Sequence, residues 1–86
     1  MAEDEDLASA AQALRTLREA KGVSQEDLAD RAELHRTQIG AYERAERKIY
    51  FTTVIRILRA LDVTWAEFSD EMEKRVPIHP RRSRRR

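Results

Sequence analysis

Apolar residues recur along this chain at intervals of three and four, a spacing that predicts helices and not strands. In the first half, Gly22 and the turn 33–35 divide this pattern into three helical segments. The first segment ends at a lysine followed by Gly22, and the second begins at Ser24 with Asp27 three residues later, as in a capping box. The pattern therefore predicts three helices, at about residues 7–21, 24–32 and 36–45.

Two further helices are predicted in the second half. The strongest apolar stripe places one of them at the centre of the core, and the stripe consists of Val54, Ile55, Leu58 and Leu61. After a turn at Asp62, Thr64 and Glu67 form a second capping box that opens the last helix. Pro77 and Pro80 cannot continue that helix, because proline lacks the backbone donor and restricts the residue before it. The sequence therefore predicts an all-α domain of five helices.

The two ends of the chain differ in composition from the helical part. Residues 1–6 are acidic and are expected to be disordered, since like charges repel one another and offer nothing to bury. Residues 76–86 are rich in proline and arginine and are expected to form a solvated tail. The helical domain is therefore assigned to residues 7–75.

Length and composition restrict the classes of function. At 86 residues the chain holds one small domain near the lower limit for a self-supporting core, which favours help from a partner subunit. It has no cysteine, and neither His35 nor His79 has a ligand partner at helical spacing, so we expect no metal and no other cofactor. No apolar run reaches the length of a membrane span, and no catalytic constellation is recognisable. We expect a cytoplasmic protein that is not an enzyme and has no membrane or small-molecule partner.

Charge is distributed unevenly, although the formal net charge is only +1. Acidic residues lie at the N-terminus and on the last helix, whereas basic residues surround the third helix. Because local charge sets the field near a ligand, the small net charge argues only against strong non-specific binding of nucleic acid. The third helix has a narrow apolar side, and its opposite side carries Arg36, Thr37, Gln38, Gly40, Ala41 and Arg44. This polar and mostly small face suits the floor of a DNA major groove.

Three segments of the chain together resemble a known family. They are Leu14-Arg-Thr-Leu-Arg-Glu-Ala-Lys-Gly-Val-Ser-Gln-Glu-Asp-Leu-Ala, Leu34-His-Arg-Thr-Gln-Ile-Gly-Ala-Tyr-Glu-Arg-Ala-Glu-Arg and Arg59-Ala-Leu-Asp-Val-Thr. In register they resemble the lambda-repressor-like, or Xre/Cro/C1-type, helix-turn-helix family of bacterial and phage regulators. The second segment is most similar to the controller proteins of restriction-modification systems. The resemblance implies a compact five-helix fold, with the helix-turn-helix at helices 2 and 3.

The resemblance also implies a function and roles for single residues. It implies a regulator of transcription, a repressor for instance, that binds double-stranded DNA as a homodimer on a roughly palindromic operator and associates with the nucleoid when bound. Contacts with base edges are implied for Arg36, Thr37, Gln38 and Ala41, with Arg47 also in reach of a base. Contacts with phosphates are implied for Gln25, Arg44 and Lys48. Arg18 and Glu43 occupy the positions of a structural ion pair.

The chain departs from the family in its turns. Glycine is usual in the family at the positions of Glu33, Ala45 and Asp62, and proline is common at the position of Ile49. A residue other than glycine is strained in the left-handed region by about 1 kcal/mol. Either these turns differ in geometry or the protein tolerates the strain.

Apolar residues outside the core pattern predict a contact between subunits. Tyr50 and Phe51 belong to an apolar run in a loop, and Trp65, Phe68 and Met72 share one face of the last helix. We interpret these five residues as a dimer interface, with packing in the core as the alternative.

Two questions of function stay open at this stage. The same helices could serve as a protein-interaction module, either an antitoxin or a factor that bridges transcription proteins, because one fold hosts many functions. The arginine-rich tail could follow the DNA backbone or enter a minor groove, bind an acidic partner, or have no role.

Overall fold

The computed structural model describes residues 2–77, and within them the chain is all-α. The five helices are α1 (Ala2–Ala20), α2 (Gln25–Ala32), α3 (Arg36–Glu43), α4 (Phe51–Leu61) and α5 (Trp65–Arg75). The predicted fold class is therefore confirmed. The arginines of the tail, together with His79, lie outside the described residues, so the expectations for them stay predictions.

The start of the chain differs from the expected disorder, because α1 begins at Ala2. Glu3, Asp4 and Glu5 lie in the first turn, where carboxylates interact favourably with unpaired backbone N–H groups and with the helix dipole. Glu3 Oε2 also lies 2.9 Å from Lys48 Nζ. Attraction to the helix end and to Lys48 therefore opposes the repulsion on which the expectation of disorder rested.

Side-chain caps fix the beginnings of α2 and α5. Ser24 Oγ accepts a hydrogen bond from the Asp27 N–H at 3.0 Å. At the start of α5 both hydrogen bonds of the capping box are present. The Thr64 N–H donates to Glu67 Oε1 at 2.9 Å, and the Glu67 N–H donates to Thr64 Oγ1 at 3.1 Å. These bonds satisfy donors that a first helical turn leaves unpaired. Both predicted helix starts are confirmed.

Three turn residues other than glycine lie in the left-handed region. They are Glu33 (φ 59°), Ala45 (φ 58°) and Asp62 (φ 58°), the positions at which the resemblance implies glycine. Glu33 and Asp62 end α2 and α4, and in both cases the N–H of the following residue bonds back to the helix. The turns therefore adopt the conformation that favours glycine, and the chain tolerates a strain of about 1 kcal/mol at each of them.

α4 contributes more buried side chains to the core than α2 or α3. Ile57, Leu58 and Leu61 are almost completely buried. The predicted stripe is correct at Val54, which is buried, but Ile55 is only half-buried and Ile57 takes the deep position. α1 packs on α5, and α3 packs on α1 and α2. This arrangement holds α3 at the surface with one side open to solvent.

Candidate nucleic-acid interface

The outer side of α3 is polar and accessible. Ile39 and Tyr42 are buried and fix the helix on its neighbours. Four predicted base-contacting residues lie on this helix, of which Arg36 and Thr37 are exposed and Gln38 and Ala41 are half-buried. The structure therefore brings these four side chains to the surface on a helix whose other side is anchored in the core.

α2 forms the other side of the same surface. Gln25 lies at the first position of α2 and, with Arg36, Thr37, Gly40 and Arg44, lines an open depression between the two helices. Two guanidinium groups, one amide and the N-terminal end of α2 meet there. Each of these groups interacts favourably with an anion.

Arg44 covers Gly40 in the free protein. A Cβ atom added at Gly40 would lie 2.9 Å from Arg44 Nη1, so an alanine there would displace the guanidinium. Arg44 Nε also lies 3.0 Å from Glu46 Oε2, and this hydrogen bond raises the pKa of Arg44 and lowers the pKa of Glu46. Both side chains are more than half exposed, so water screens the pair and Arg44 can exchange Glu46 for another anion.

The two basic residues after α3 are also exposed. Arg47 Cζ lies 5.9 Å from the centre of the Tyr42 ring, within the range of a cation–π contact. The hydrogen bond between Lys48 and Glu3 raises the pKa of Lys48 and lowers the pKa of Glu3. Two predicted phosphate contacts, Arg44 and Lys48, are therefore paired with carboxylates of the same chain.

A buried network ties the end of α3 to α1 and α2. Arg18 donates to Glu43 twice, from Nε to Oε2 at 2.6 Å and from Nη2 to Oε1 at 2.9 Å, and its Nη1 donates to the Val23 carbonyl at 2.8 Å. The two side chains are only 10% and 5% exposed. The hydrogen bonds to Glu43 raise the pKa of Arg18 above its ordinary value. The structure thus brings the two residues of the implied ion pair together.

Two further side-chain contacts at this surface were not predicted from the sequence. Gln25 Nε2 donates to Glu43 Oε1 at 2.9 Å, so the implied phosphate ligand is also part of the buried network. Gln38 Oε1 accepts from the His35 N–H at 3.0 Å and closes the start of α3. The spacing of His35 and Gln38 is that of a capping box, which could have indicated the second contact. The first joins residues far apart in sequence, and no local pattern indicates it.

Comparison with known proteins decides the family. Residues 14–68 match the family model described as helix-turn-helix. The chain belongs to the helix-turn-helix family. The implied helix-turn-helix corresponds to α2, the turn at Glu33 and α3.

This helix-turn-helix protein is similar to control protein C.SmaI of Serratia marcescens, with 41% identity over 54 residues that cover 63% of this chain and 64% of that protein. The chain therefore spans 64% of the length of this curated relative. The crystal structure of the restriction-modification controller protein C.AhdI from Aeromonas hydrophila has a TM-score of 0.69 and 40% identity, covering 73% of this chain and 96% of that one. The predicted similarity to restriction-modification controllers is confirmed.

A second controller has been solved with DNA. The wild-type restriction-modification controller protein C.Esp1396I has a TM-score of 0.79 and 30% identity to the helix-turn-helix protein described here, covering 83% of this chain and 92% of that one. The C.Esp1396I tetramer in complex with its natural 35-base-pair operator has a TM-score of 0.78 and 30% identity, covering 81% and 92% of the two chains.

A separate surface of the helix-turn-helix protein is apolar. Tyr50, Phe51 and Trp65 are 76%, 68% and 50% exposed, and the Phe51 and Trp65 rings stack with 5.5 Å between their centres. Phe68 packs edge-on to Trp65 and also against the core, and Met72 is half-buried. Of the five residues interpreted as a dimer interface, three are therefore exposed and two are partly used in packing within the chain.

Arg56 makes a structural contact that was not predicted from the sequence. It lies on the polar side of α4, and its guanidinium reaches backbone carbonyl groups at the end of α2. Among residues 2–77 no group of three or more His, Cys, Asp or Glu side chains is arranged to hold a metal ion. None of the described helices is both long enough and apolar enough to span a membrane.

Proposed function

We propose that this chain is a sequence-specific, double-stranded-DNA-binding regulator of transcription that acts as a homodimer on a roughly palindromic operator. The observation that carries the proposal is the outer side of α3, where Arg36 and Thr37 are exposed and share a basic depression with Gln25 and Arg44. The similarity to C.Esp1396I, whose tetramer is known in complex with its operator, supports the same assignment.

The proposed complex places α3 in the major groove. Arg36 stands at the N-terminal end of the helix, where its fork-shaped guanidinium can bind O6 and N7 of a guanine. The methyl groups of Thr37 and Ala41 suit a thymine methyl, and Arg47 extends the contact beyond the helix. Gln38 keeps its Nε2 donor for a base edge, because the bond to His35 uses Oε1.

Phosphate contacts are proposed for Gln25, Arg44 and Lys48. Gln25 has a second amide proton besides the one donated to Glu43, and it lies at the N-terminus of α2, where an anion is favoured. Arg44 and Lys48 would leave their exposed carboxylate partners for phosphate groups. Gln25 and Arg44 in the depression, and Lys48 beyond the end of α3, would then hold the DNA backbone.

The proposed dimer uses the apolar surface formed by Tyr50, Phe51, Trp65, Phe68 and Met72. Three exposed aromatic rings on so small a domain are costly to leave in water. Two subunits joined there would place their α3 helices in successive major grooves, about 34 Å apart. The operator should therefore contain two half-sites separated by one turn of DNA.

The test is a selection of binding sites from a random duplex pool with the wild-type chain, Arg36→Ala and Arg31→Ala. Arg31 is exposed on α2 but does not line the basic depression, so its variant is the matched control for charge. We expect a symmetric motif with wild type and with Arg31→Ala. Arg36→Ala should weaken the base preference at one position in each half-site of the selected motif. A pool without enrichment for the folded wild-type chain would contradict the proposal.

A protein-interaction module is the second candidate, and the stacked, exposed Phe51 and Trp65 rings favour it. The two functions respond differently to salt. Binding through several phosphates weakens steeply as ionic strength rises, whereas an apolar protein contact depends on Trp65 and little on salt. Titrating duplex DNA and any captured partner at several salt concentrations separates them, with Arg36→Ala alongside, because Trp65 also belongs to the proposed dimer surface.

A further inference from the structure

Arg56 ties α4 to the end of α2. Its Nη2 donates to the Ala32 carbonyl at 2.7 Å and to the Glu33 carbonyl at 2.8 Å. Ala32 is the last residue of α2, and Glu33 is its C-cap in the left-handed conformation. One guanidinium nitrogen therefore holds the two successive carbonyl groups at which the turn of the helix-turn-helix begins.

These carbonyl groups have no donor within α2. A helix leaves its last carbonyl groups without partners inside the helix, and its C-terminal end carries partial negative charge. A guanidinium is suited to this position, because it stays charged and has several N–H donors in a fixed plane. Arg56 thus supplies both the hydrogen bonds and the positive charge that this end of α2 favours.

The contact lies where it can set the position of α3. Arg36, the first residue of α3, follows Glu33 after only two intervening residues, and no glycine loosens the turn. At its other end α3 is held through Glu43 by Arg18 and Gln25. The helix that carries the proposed base contacts therefore follows a turn that Arg56 of α4 binds, and its last residue binds Arg18 of α1.

We infer that Arg56 is a positioning residue for base recognition, which holds the turn so that Arg36 and Thr37 meet the base edges in one orientation. The inference rests on the proposed function. Loss of the two hydrogen bonds should let the start of α3 shift while leaving the basic groups that contact phosphates in place. Discrimination between operator and unrelated DNA should therefore fall more than affinity for DNA in general.

The test compares Arg56→Met with Arg31→Met. Methionine keeps the apolar stem of Arg56 but has no donor, and Arg31 is an exposed arginine beside the same end of α2, so both variants lose one charge. Dissociation constants are measured for the selected operator and for an unrelated duplex of equal length at the same salt. Arg56→Met should lower the ratio of the dissociation constant for the unrelated duplex to that for the operator about tenfold, the loss typical of one mismatched base pair. Arg31→Met should leave this ratio unchanged. Arg56→Lys, which can still donate to both carbonyl groups, should recover part of the loss.

Two outcomes would overturn the inference. One is an unchanged ratio in folded Arg56→Met, which would make the contact purely structural. The other is a salt dependence weaker for Arg56→Met than for Arg31→Met, which would make Arg56 a phosphate ligand.

Hydrogen exchange in the DNA-free protein separates this inference from the proposed function. The Leu34 N–H, which bonds to the Ala29 carbonyl across the turn, should exchange faster in Arg56→Met, while amides in α1 keep their rates. A wild-type chain without sequence preference would overturn the proposed function. Unchanged exchange at Leu34 would overturn the role of Arg56 in fixing the turn.

Discussion

Glu43 is the residue on which the arrangement of three helices depends most directly. Its carboxylate on α3 accepts two hydrogen bonds from Arg18 on α1 and one from Gln25 on α2, and its side chain is 5% exposed. Removing one partner of a buried ion pair strands the other charge. Glu43→Ala should therefore lower the free energy of unfolding by about 3 kcal/mol, measured by urea denaturation.

Glu46→Ala is the matched control for this prediction. It removes a carboxylate three residues later, whose pair with Arg44 is exposed, and it should change the stability little. Replacing both buried partners, as in Arg18→Met with Glu43→Leu, leaves no stranded charge and should cost less than Glu43→Ala alone. A double variant less stable than Glu43→Ala would show that the charge itself is not the reason for the loss.

Replacing Gly40 is expected to stabilise the fold, in contrast to replacing Glu43. Glycine inside a helix is less stable than alanine by about 0.5–1 kcal/mol, and the three nearest atoms that an added methyl group would meet outside the backbone of its own helix belong to the exposed guanidinium of Arg44. Gly40→Ala should therefore raise the free energy of unfolding by about 0.5 kcal/mol, read from urea denaturation. If the variant is less stable in the wild-type background but more stable together with Arg44→Ala, the guanidinium cannot move aside as we expect.

At the scale of helices, local signals predicted most of the fold. Ser24 and Thr64 stand where α2 and α5 begin, because capping depends on residues only three apart. The start of α1 was not predicted, since charge repulsion within the acidic segment is visible in the sequence but the nearby Lys48 is not. The donors of Gln25 and Arg56 were missed for the same reason. Their partners are brought close only by packing of α2, α3 and α4, and no spacing in the sequence records that packing.

The cap of α5 makes the stability of this helix depend on pH. The Thr64 backbone N–H donates to Glu67 and lowers the pKa of that carboxyl group from its ordinary value of 4.5. A carboxyl group with a lower pKa in the folded state stabilises the fold above the ordinary pKa, and the contribution is lost as pH falls through the lowered value. The melting temperature of wild type should therefore fall more steeply between about pH 5 and about pH 3 than that of Glu67→Gln, which keeps the acceptor oxygen but does not titrate.

Glu67→Ala distinguishes the charge from the hydrogen bond. This variant has no acceptor for the Thr64 N–H, so at neutral pH it should melt below Glu67→Gln. Parallel pH profiles of wild type and Glu67→Gln, recorded by circular dichroism, would contradict the assigned role of the carboxylate.

At the scale of the whole molecule, acidic and basic side chains nearly cancel, and part of this balance falls on the proposed DNA surface. Glu3 pairs with Lys48 and Glu46 pairs with Arg44, and all four side chains are more than half exposed. Each carboxylate competes with a phosphate for the same cation. Non-specific binding depends on such cations alone, whereas operator binding adds contacts to bases. The internal pairs should therefore reduce binding to unrelated DNA and improve discrimination.

Glu3→Gln tests this balance, because it releases Lys48 without touching α3. At low salt, the variant should bind an unrelated duplex about two- to fivefold more tightly than wild type, the effect expected of an exposed ion pair. This difference between the variant and wild type should disappear as the salt concentration increases. Glu5→Gln changes the net charge equally within the same turn of α1, so it separates the pair from the general field of the molecule. Equal gains for the two variants, measured by fluorescence anisotropy, would assign the effect to net charge. A gain confined to Glu3→Gln would mean that the acidic start of α1 acts through Lys48.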